Sequence, residues 1–514
     1  MKQPKMKYSE TRTRQQIVTF KGLQYGKTTT DGDIAECYNL STRDYPAISQ
    51  REGRTVLGEY TSPSAIYYAD KLCVVDGENV IYDGETVGTV EPGVKQIAIV
   101  NNKLVIFPDK VYYDIEKDYF GTMGAIAQTE ASHVVTFTTN TIETGELNLT
   151  ENKSFEDQFA AGQAVEISGC SIEENNITAI IRSVKDNTLT FDDDIFVAGE
   201  STTGIKIERK IPDLSYICES NNRLWGVEQK TVWASALGDP LTFYNYDGLS
   251  TDSYAVTTSA DADFTGCCSY SSNVLFFTEQ MLYKMLGSEP SEYRMYSYTV
   301  PGLQTGSHKS LVTINEVLFY KGVDGIYSYT GSVPQIISEN FGTLSFEKAC
   351  AGTDGQNYYI SMQNKDTQQW GLFVFDTLRN LWIKEDESHA IDFARIEGDL
   401  CFISNNNIYK TGQSENDIEW YAVLAPFDWV VPERKTYTRL YVQAELEKGA
   451  RMTLEYREDG GKWIKAFSHH AERRKNFAIP VYPGYCDTLQ IKLHGIGKCL
   501  VRQVTREFVI GGER

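Results

Sequence analysis

The chain has 514 residues, too many for one ordinary hydrophobic core, and 41% of them are hydrophobic, as in a globular protein. Its 49 lysines and arginines stand against 70 aspartates and glutamates, and the net charge of −21 disfavours tight binding to nucleic acid or to an anionic membrane. Tyrosine is the commonest aromatic residue, with 32 copies, and together with 40 glycines and few helical patterns it favours an all-β protein.

Residues 1–16 are basic and polar. They lack the apolar core of a secretory signal, and no apolar run in the chain reaches the roughly 20 residues of a membrane helix. Two interpretations stay open: a frayed tail, or an arm that docks on an acidic neighbouring subunit. The basic residues of this arm are Lys2, Lys5, Lys7, Arg12 and Arg14.

A repeat begins after an extended segment, residues 17–60. Each unit is a strand, a turn of Asn, Asp or Gly, an apolar strand, a second turn and a strand rich in tyrosine. The period of about 30 to 50 residues is typical of β-propeller blades, and the extended segment could supply the strand that closes the array. Seven units predict about seven blades. They span residues 66–82, 96–113, 214–246, 267–285, 311–329, 349–382 and 391–409.

The third unit carries the clearest signature. Gly238 tolerates a positive φ and Pro240 has no N–H, so the strand ladder stops there in an exit loop. We interpret this stretch as a structural blade signature, with no active site in it. Its residues are Asn222, Arg223, Leu224, Trp225, Gly226, Trp233, Gly238, Asp239 and Pro240.

Two segments depart from the repeat. Residues 122–209 predict an inserted small β-barrel or sandwich, and strict alternation in residues 419–514 predicts a C-terminal antiparallel β-sandwich. The full predicted division is a basic arm (1–16), a closing strand and two blades (17–121), the inserted domain (122–209), the remaining blades (210–418) and the sandwich (419–514).

The sequence shows no sign of chemistry. None of the six histidines has metal-ligand spacing, and nucleophile-elbow, phosphate-loop and dinucleotide motifs are missing. Asp192, Asp193 and Asp194 could bind calcium, but no glycine turn or later glutamate completes a known loop, so a solvated turn is favoured. The ten scattered cysteines are predicted to be buried free thiols, with disulfides or zinc binding as the alternatives. We therefore expect no enzymatic activity, no cofactor and no metal.

The residues Asn222 to Gly226, followed by Val232 to Pro240 and Gly248 to Val256, resemble proteins of bacteriophage tails and prophages. The layout is similar to the tail hub or nozzle β-propeller proteins, also called stabilisation proteins, of short-tailed phages. The resemblance is good over residues 214–420 and looser elsewhere. It implies a structural virion protein that forms a ring below the portal and adaptor, provides the DNA exit conduit and anchors other tail parts.

The same resemblance implies the partners and the location. It implies a hexameric ring in contact with the portal and adaptor proteins and with tail fibres or a distal tail plug. Genomic DNA would pass through without tight binding, as the net charge of −21 allows. The protein would be made in the cytoplasm of a bacterial host and would reside in the virion tail.

Two rival functions stay open. A receptor- or carbohydrate-binding tail protein would use the C-terminal sandwich as a lectin-like module exposing Trp420, Trp429 and Trp463, although core packing is the other interpretation of these residues. A propeller glycosidase, the less favoured rival, would need clustered carboxylates with raised pKa values, which a sequence does not reveal.

Overall fold

The computed structural model describes residues 12–129, 134–144, 154–191, 194–201, 204–259, 261–412, 418–427, 433–470 and 475–510. The regular secondary structure of the described residues is almost entirely β-strand, with one short α-helix and 3₁₀ turns at Glu173–Asn175, His308–Ser310 and Glu339–Phe341. The chain divides into two compact units, residues 1–60 with 309–514, and residues 61–308.

The first unit begins with five short strands; four of them pair with strands from the other end of the chain, and the third pairs with the fourth. β1 and β4 pair with the last strand, β2 pairs with a strand that begins at Glu419, and β5 pairs with a strand that begins at Asn407. The five are β1 (Arg12–Ile17), β2 (Ile34–Tyr38), β3 (Leu40–Ser41), β4 (Ile48–Gln50) and β5 (Arg54–Glu59).

The second unit contains four four-stranded antiparallel blades, each with its strands in sequence order. The first two blades are β6 (Pro63–Tyr68), β7 (Leu72–Asp76), β8 (Asn79–Tyr82), β9 (Glu85–Thr89) and β10 (Gln96–Val100), β11 (Lys103–Phe107), β12 (Val111–Asp114), β13 (Tyr119–Thr122).

An eight-stranded sheet follows the second blade. Within the described residues it runs in the open order β14-β21-β17-β18-β19-β16-β15-β20, and no closed barrel is formed. Its elements are β14 (Ala125–Gln128), β15 (Val135–Phe137), β16 (Thr141–Thr144), α1 (Phe155–Gln158), β17 (Ala164–Ser168), β18 (Thr178–Lys185), β19 (Thr188–Phe191), β20 (Gly199–Ser201) and β21 (Lys206–Arg209).

The third and fourth blades complete the second unit. Their strands are β22 (Tyr216–Ser220), β23 (Arg223–Glu228), β24 (Thr231–Ala234), β25 (Tyr254–Thr257) and β26 (Gly266–Tyr270), β27 (Asn273–Phe277), β28 (Met281–Leu286), β29 (Arg294–Thr299). Successive blades contact each other through their first strands, β6 with β10, β10 with β22 and β22 with β26.

Packing on both faces explains the apolar middle strands of the blades. β23 is buried over five consecutive residues and β27 over four, whereas the outer strand β29 is mostly exposed. In the third blade the Trp225 ring lies 5.2 Å from that of Tyr293 and 6.2 Å from that of Phe276 in the fourth blade. Trp225 therefore joins two blades, and a blade alone would leave it exposed.

The first unit adds three blades. Their strands are β30 (Val312–Ile314), β31 (Val317–Lys321), β32 (Ile326–Tyr329), β33 (Gln335–Ile336), then β34 (Phe346–Thr353), β35 (Asn357–Asn364), β36 (Trp370–Asp376), β37 (Leu381–Asp386), then β38 (Phe393–Ile396), β39 (Asp399–Ser404) and β40 (Asn407–Thr411). The last of these blades receives its fourth strand from β5.

The first unit ends in a sandwich of two antiparallel sheets, ordered β2-β41-β46-β43-β44 and β3-β4-β47-β42-β45, with β1 also on β47. Its strands are β41 (Glu419–Leu424), β42 (Lys435–Leu446), β43 (Arg451–Glu458), β44 (Ile464–His470), β45 (Lys475–Pro480), β46 (Leu489–Ile496) and β47 (Cys499–Ile510). Trp420 is buried in the core, Trp463 is partly buried, and Trp429 lies outside the described residues.

The predicted fold class is confirmed: the protein is all-β, with seven blades in the described residues, an inserted β domain and a sandwich. The division within residues 17–60 differs from the predicted one. Strands β2 to β4 belong to the C-terminal sandwich, and β5 alone joins a blade. A strand as short as Leu40–Ser41 has too few residues for its partner to be predicted from the sequence.

A buried arginine organises the third blade. Arg223 is only 1% exposed, and its guanidinium donates hydrogen bonds to the carbonyl oxygens of Ser235 (2.8 Å), Ser250 (2.6 Å) and Asp252. Burial lowers the pKa of Arg223. The Asp252 carboxylate in turn accepts from the backbone N–H groups of residues 248 and 249 (2.6 and 2.8 Å). Arg223 thus fixes the loop between β24 and β25.

We predict that Arg223→Met frees this loop, because three carbonyl oxygens lose their donor at about 1 kcal/mol or more each. Amide hydrogen exchange in residues 248–253 should become at least tenfold faster. The matched control is Arg294→Met, since Arg294 is an exposed residue that also donates only to carbonyls. Unchanged exchange in Arg223→Met would contradict the proposed clamp.

A second buried cation, Lys321, lies in the first unit at the end of β31. It is 2% exposed and donates to the carbonyl oxygens of Gly322 and Val323. Burial, assisted by Lys365, lowers the pKa of Lys321 to about 8, against the opposing effects of Asp324 and Glu347. A charge held in this environment opposes folding at neutral pH.

From the lowered pKa of Lys321 we predict how the free energy of unfolding depends on pH. Since its pKa is lower in the folded than in the unfolded state, the unfolded state binds more protons between pH 8 and 10.5, and stability rises with pH across that window. Relative to Lys321→Met, the wild type should gain about 3 kcal/mol in free energy of unfolding from pH 7 to 10.5. Urea denaturation at several pH values measures the difference, and Lys498→Met, an exposed control, should show none.

Candidate functional site

A cleft of about 1080 Å³ lies among the second blade, the inserted sheet and the third blade of the second unit. Turns of the second blade line one side, and β14, α1 and β21 line another. The segment after β21 and the exit loop of the third blade complete it. We name this site the tyrosine cleft, after Tyr112, Tyr119 and Tyr244 in its wall.

The tyrosines form an aromatic wall. The rings of Tyr112 and Tyr119 lie 6.1 Å apart, and Tyr119 is 52% exposed. Tyr244 packs at 4.9 Å against the ring of Trp233, a residue of the blade signature. Gly121 makes room for this wall, because a Cβ there would lie 2.7 Å from Cε1 of Tyr119. The wall thus presents an exposed ring held in place by its neighbours.

The hydroxyl groups of Tyr112 and Tyr244 stay protonated at neutral pH. Burial raises the pKa of Tyr244 to about 12, with Glu228 and Asp213 adding to the effect, and burial also raises the pKa of Tyr112. Each hydroxyl can therefore both donate and accept a hydrogen bond.

A buried arginine joins the inserted domain to the cleft. Arg209 donates to the carbonyl oxygens of Met123 (3.0 Å) and Gln158 (3.1 Å) and to Oε1 of Gln163 (2.7 Å). Burial lowers the pKa of Arg209, whereas Asp239 acts in the opposite sense. Gln158 lines the cleft, and its buried Nε2 amide has no hydrogen-bond partner within the described chain.

Carboxylates outnumber cations around the cleft. The acidic lining residues are Asp109, Asp114, Asp157, Glu208, Asp213, Glu228 and Asp239, and the basic ones are Lys103, Lys110, Lys117, Arg209 and Lys210. Lys110 pairs with Asp213 at 2.5 Å. The arrangement suits a neutral ligand with many hydroxyl groups, since carboxylates accept from hydroxyls and an aromatic ring packs against the C–H face of a sugar.

The predicted signature residues are brought together in the third blade. Asn222 takes a positive φ of 56° in the two-residue turn before β23, and its carbonyl accepts from the backbone N–H of Gly238 (2.7 Å). Asp239 accepts from the Leu241 N–H and the Thr242 hydroxyl, which stops the ladder at Pro240. Asp239 also lines the tyrosine cleft, a position that the sequence did not indicate.

The predicted docking arm is only partly described. Lys2, Lys5 and Lys7 lie outside the described residues. Arg12 and Arg14 lie on β1, where both approach the Glu507 carboxylate of the same chain, at 3.6 and 2.8 Å. In the structure, therefore, both arginines approach a carboxylate of their own chain.

Sequence reasoning missed Tyr112, Tyr119, Gln158 and Arg209. Residues from the inserted domain and the blades meet here across roughly 100 positions of sequence, so spacing gave no signal. The one local hint was Tyr112 and Tyr119 flanking a hairpin with Gly121 opposite Tyr112.

A second cavity, of about 830 Å³, lies in the first unit beside β5 and β37. Arg54 donates to Glu385 and Asp386 at 2.6 Å each, and Arg379 pairs with Asp376 at 2.8 Å. Burial would raise the pKa of Asp376 and of Asp386, but arginines and hydrogen bonds outweigh it and lower both. Paired, ionised carboxylates stabilise this cavity and are poor general acids.

The described residues hold no group of three or more His, Cys, Asp or Glu placed to bind a metal ion, and Asp192 and Asp193 lie outside them. All ten cysteines are free thiols; eight are buried as predicted, whereas Cys218 and Cys268 are partly exposed. Among the described residues, no helix has the length and apolar character required to cross a membrane.

No family model and no curated protein matches the chain. Solved structures do. The chain is similar to an exo-beta-1,3-galactanase from Phanerochaete chrysosporium, with 8% identity, a TM-score of 0.23 and coverage of 55% of this chain and 92% of that one. It is also similar to the phage phi92 endosialidase, with 10% identity, a TM-score of 0.23 and coverage of 80% and 70%. A Bombyx mori beta-fructofuranosidase gives 10% identity, a TM-score of 0.19 and coverage of 58% and 92%.

These comparisons correct one prediction. The sequence-based conclusion that the chain is not an enzyme is wrong, because an enzyme is not excluded: the three similar structures named above are a galactanase, an endosialidase and a fructofuranosidase. A missing motif does not exclude a glycosidase, whose carboxylates come from distant positions. With 8–10% identity and TM-scores of 0.19–0.23, these structures assign no reaction to this chain.

We predict that Arg209→Met loosens one wall of the tyrosine cleft. Gln163 Oε1 accepts from both Arg209 and the backbone N–H of Ala160, so loss of the guanidinium frees residues 158–163. Their amide exchange should become at least tenfold faster. Lys185→Met, an exposed change on β18, serves as the control. Equal exchange in both variants would show that Arg209 does not hold this wall.

Proposed function

We propose that this protein binds carbohydrate in the tyrosine cleft, as a receptor- or carbohydrate-binding protein of a phage tail. The observation that carries the proposal is the exposed Tyr119 ring in the wall of a cleft of about 1080 Å³, which is lined by carboxylates and by Gln158, whose buried amide has no partner within the described residues. A pyranose offers C–H groups to the ring and hydroxyls to the amide and carboxylates. The affinity comes from both surfaces together.

The tail location rests on the sequence. The signature from Asn222 to Pro240 resembles phage tail proteins, which supports synthesis in a bacterial host and residence in the virion tail. The natural ligand class for such a protein is a polysaccharide of the bacterial surface. The ring-forming hub role, with a hexameric ring, portal and adaptor neighbours, tail fibres and passing DNA, stays a prediction from the same resemblance.

The test starts with an array of bacterial surface glycans probed with the full-length chain. The best glycan is then titrated by calorimetry against wild type, Tyr119→Ala and Tyr119→Phe. Loss of one stacked ring costs about 1.4 kcal/mol, so Tyr119→Ala should bind about tenfold more weakly. Tyr119→Phe keeps the ring and should stay within about threefold of wild type.

Tyr296→Ala is the matched control, because Tyr296 is an equally exposed tyrosine on the outer strand β29 and does not line the cleft. Its affinity should equal that of wild type. Reducing ends released in the same samples would separate hydrolysis from binding alone. An array without a bound glycan, or Tyr119→Ala binding as tightly as wild type, would overturn the proposal.

A further inference from the structure

Two cysteines face each other where the third and fourth blades meet. Cys218 lies on β22 and Cys267 on β26, the first strands of these blades, and the two strands are in contact. Two residues further along, the hydroxyls of Ser220 and Ser269 are joined by a hydrogen bond of 3.2 Å. Because side chains two residues apart lie on the same face of a strand, that bond places Cys218 opposite Cys267.

Cys267 belongs to the hydrophobic cluster between the third and fourth blades, and Cys218 packs against that cluster. The neighbouring Cys218 thiol, together with burial, raises the pKa of Cys267 well above its usual value. Cys267 is buried, whereas Cys218 is partly exposed. Cys218 is therefore the thiol that a small oxidant reaches, and Cys267 is the protonated neighbour beside it.

We propose that Cys218 and Cys267 form a reversible disulfide that links the third and fourth blades. Among the described residues no set of three ligand-type side chains is placed to hold a metal ion, which favours oxidation over metal binding as the chemistry of this pair. The pair is reduced in a cytoplasm and oxidises once the protein meets an oxidising medium.

With hydrogen peroxide as oxidant, the reaction has two steps. The Cys218 thiolate attacks one peroxide oxygen, the O–O bond breaks, and the departing hydroxide takes a proton to give water and a sulfenic acid on Cys218. The Cys267 sulfur then attacks the Cys218 sulfur, the S–O bond breaks, and a second water leaves. Two thiols and one peroxide give one disulfide and two waters, with two electrons passing from sulfur to oxygen.

The bond would close the chain from residue 218 to residue 267 and restrict the unfolded state. Thermal unfolding of the oxidised protein should therefore occur about 5 °C or more above that of the reduced protein, and dithiothreitol should reverse the change.

The experiment oxidises the reduced full-length chain with equimolar hydrogen peroxide, blocks remaining thiols and maps the unreduced peptides by mass spectrometry. Wild type should give a linked pair containing residues 218 and 267, 2 Da lighter than the separate peptides and lost on reduction. Cys268→Ser should keep the link, and Cys218→Ser should lose it. In Cys268→Ser a link between Cys218 and the peptide that contains residues 267 and 268 can involve only Cys267, so this variant decides between the two adjacent cysteines even if Cys267→Ser fails to fold.

Loss of the link in Cys268→Ser would show that Cys218 bonds to Cys268 instead of Cys267, and would overturn the assignment. Oxidation of Cys218 to a sulfinic acid without any link would show that the two sulfurs do not form a disulfide, and would overturn the proposal. An oxidised protein that unfolds at the same temperature as the reduced one would remove the stabilising role.

Discussion

The first unit depends on the return of its N-terminal segment to strands made at the other end of the chain. A buried ion cluster fixes that return: Arg54, on β5, binds Glu385 and Asp386 at the end of β37, and Arg51 donates to Asn39 at 2.7 Å. These groups are nearly removed from water, so loss of one partner leaves an uncompensated charge and costs about 3–5 kcal/mol. Without this cluster, the last blade would lose its fourth strand and present an open edge.

Buried cations bound to carbonyl oxygens recur in both units. Arg223 and Lys321 each sit within a blade, and Arg209 holds the wall of the tyrosine cleft. None of the three appears among the ion pairs of the described residues. Their positive charge replaces ladder hydrogen bonds where the chain leaves a strand, at the cost of desolvation. The excess of acidic residues is thus a property of the surface, while the cores use lysine and arginine as structural donors.

The blades were predictable because their information is local. A buried middle strand between two tight turns, such as Leu224 to Val227, can be recognised from about ten consecutive residues. The turn at Asn221 and Asn222, with φ values of 53° and 56°, was visible for the same reason. The sandwich strands β2 to β4 and the tyrosine cleft were hidden, because β2 and β4 pair with strands near the other end of the chain, and Arg209 and Tyr244 of the cleft lie far from Tyr119 in the sequence. Asp239 shows best what the sequence does not reveal: the sequence identifies it as a turn residue, whereas the structure also places it in the lining of the cleft.

The pairing of β1 to β5 with late strands has a consequence for biosynthesis. Residues 61–308 form a compact unit from one continuous stretch, so they have all their partners as soon as that stretch has left the ribosome. The first five strands emerge earlier, and apart from the short β3–β4 pair they have no partner, because β40, β41 and β47 are translated hundreds of codons later. During that interval their edges are open to wrong partners. The earliest part of the chain to be made is therefore among the last to fold.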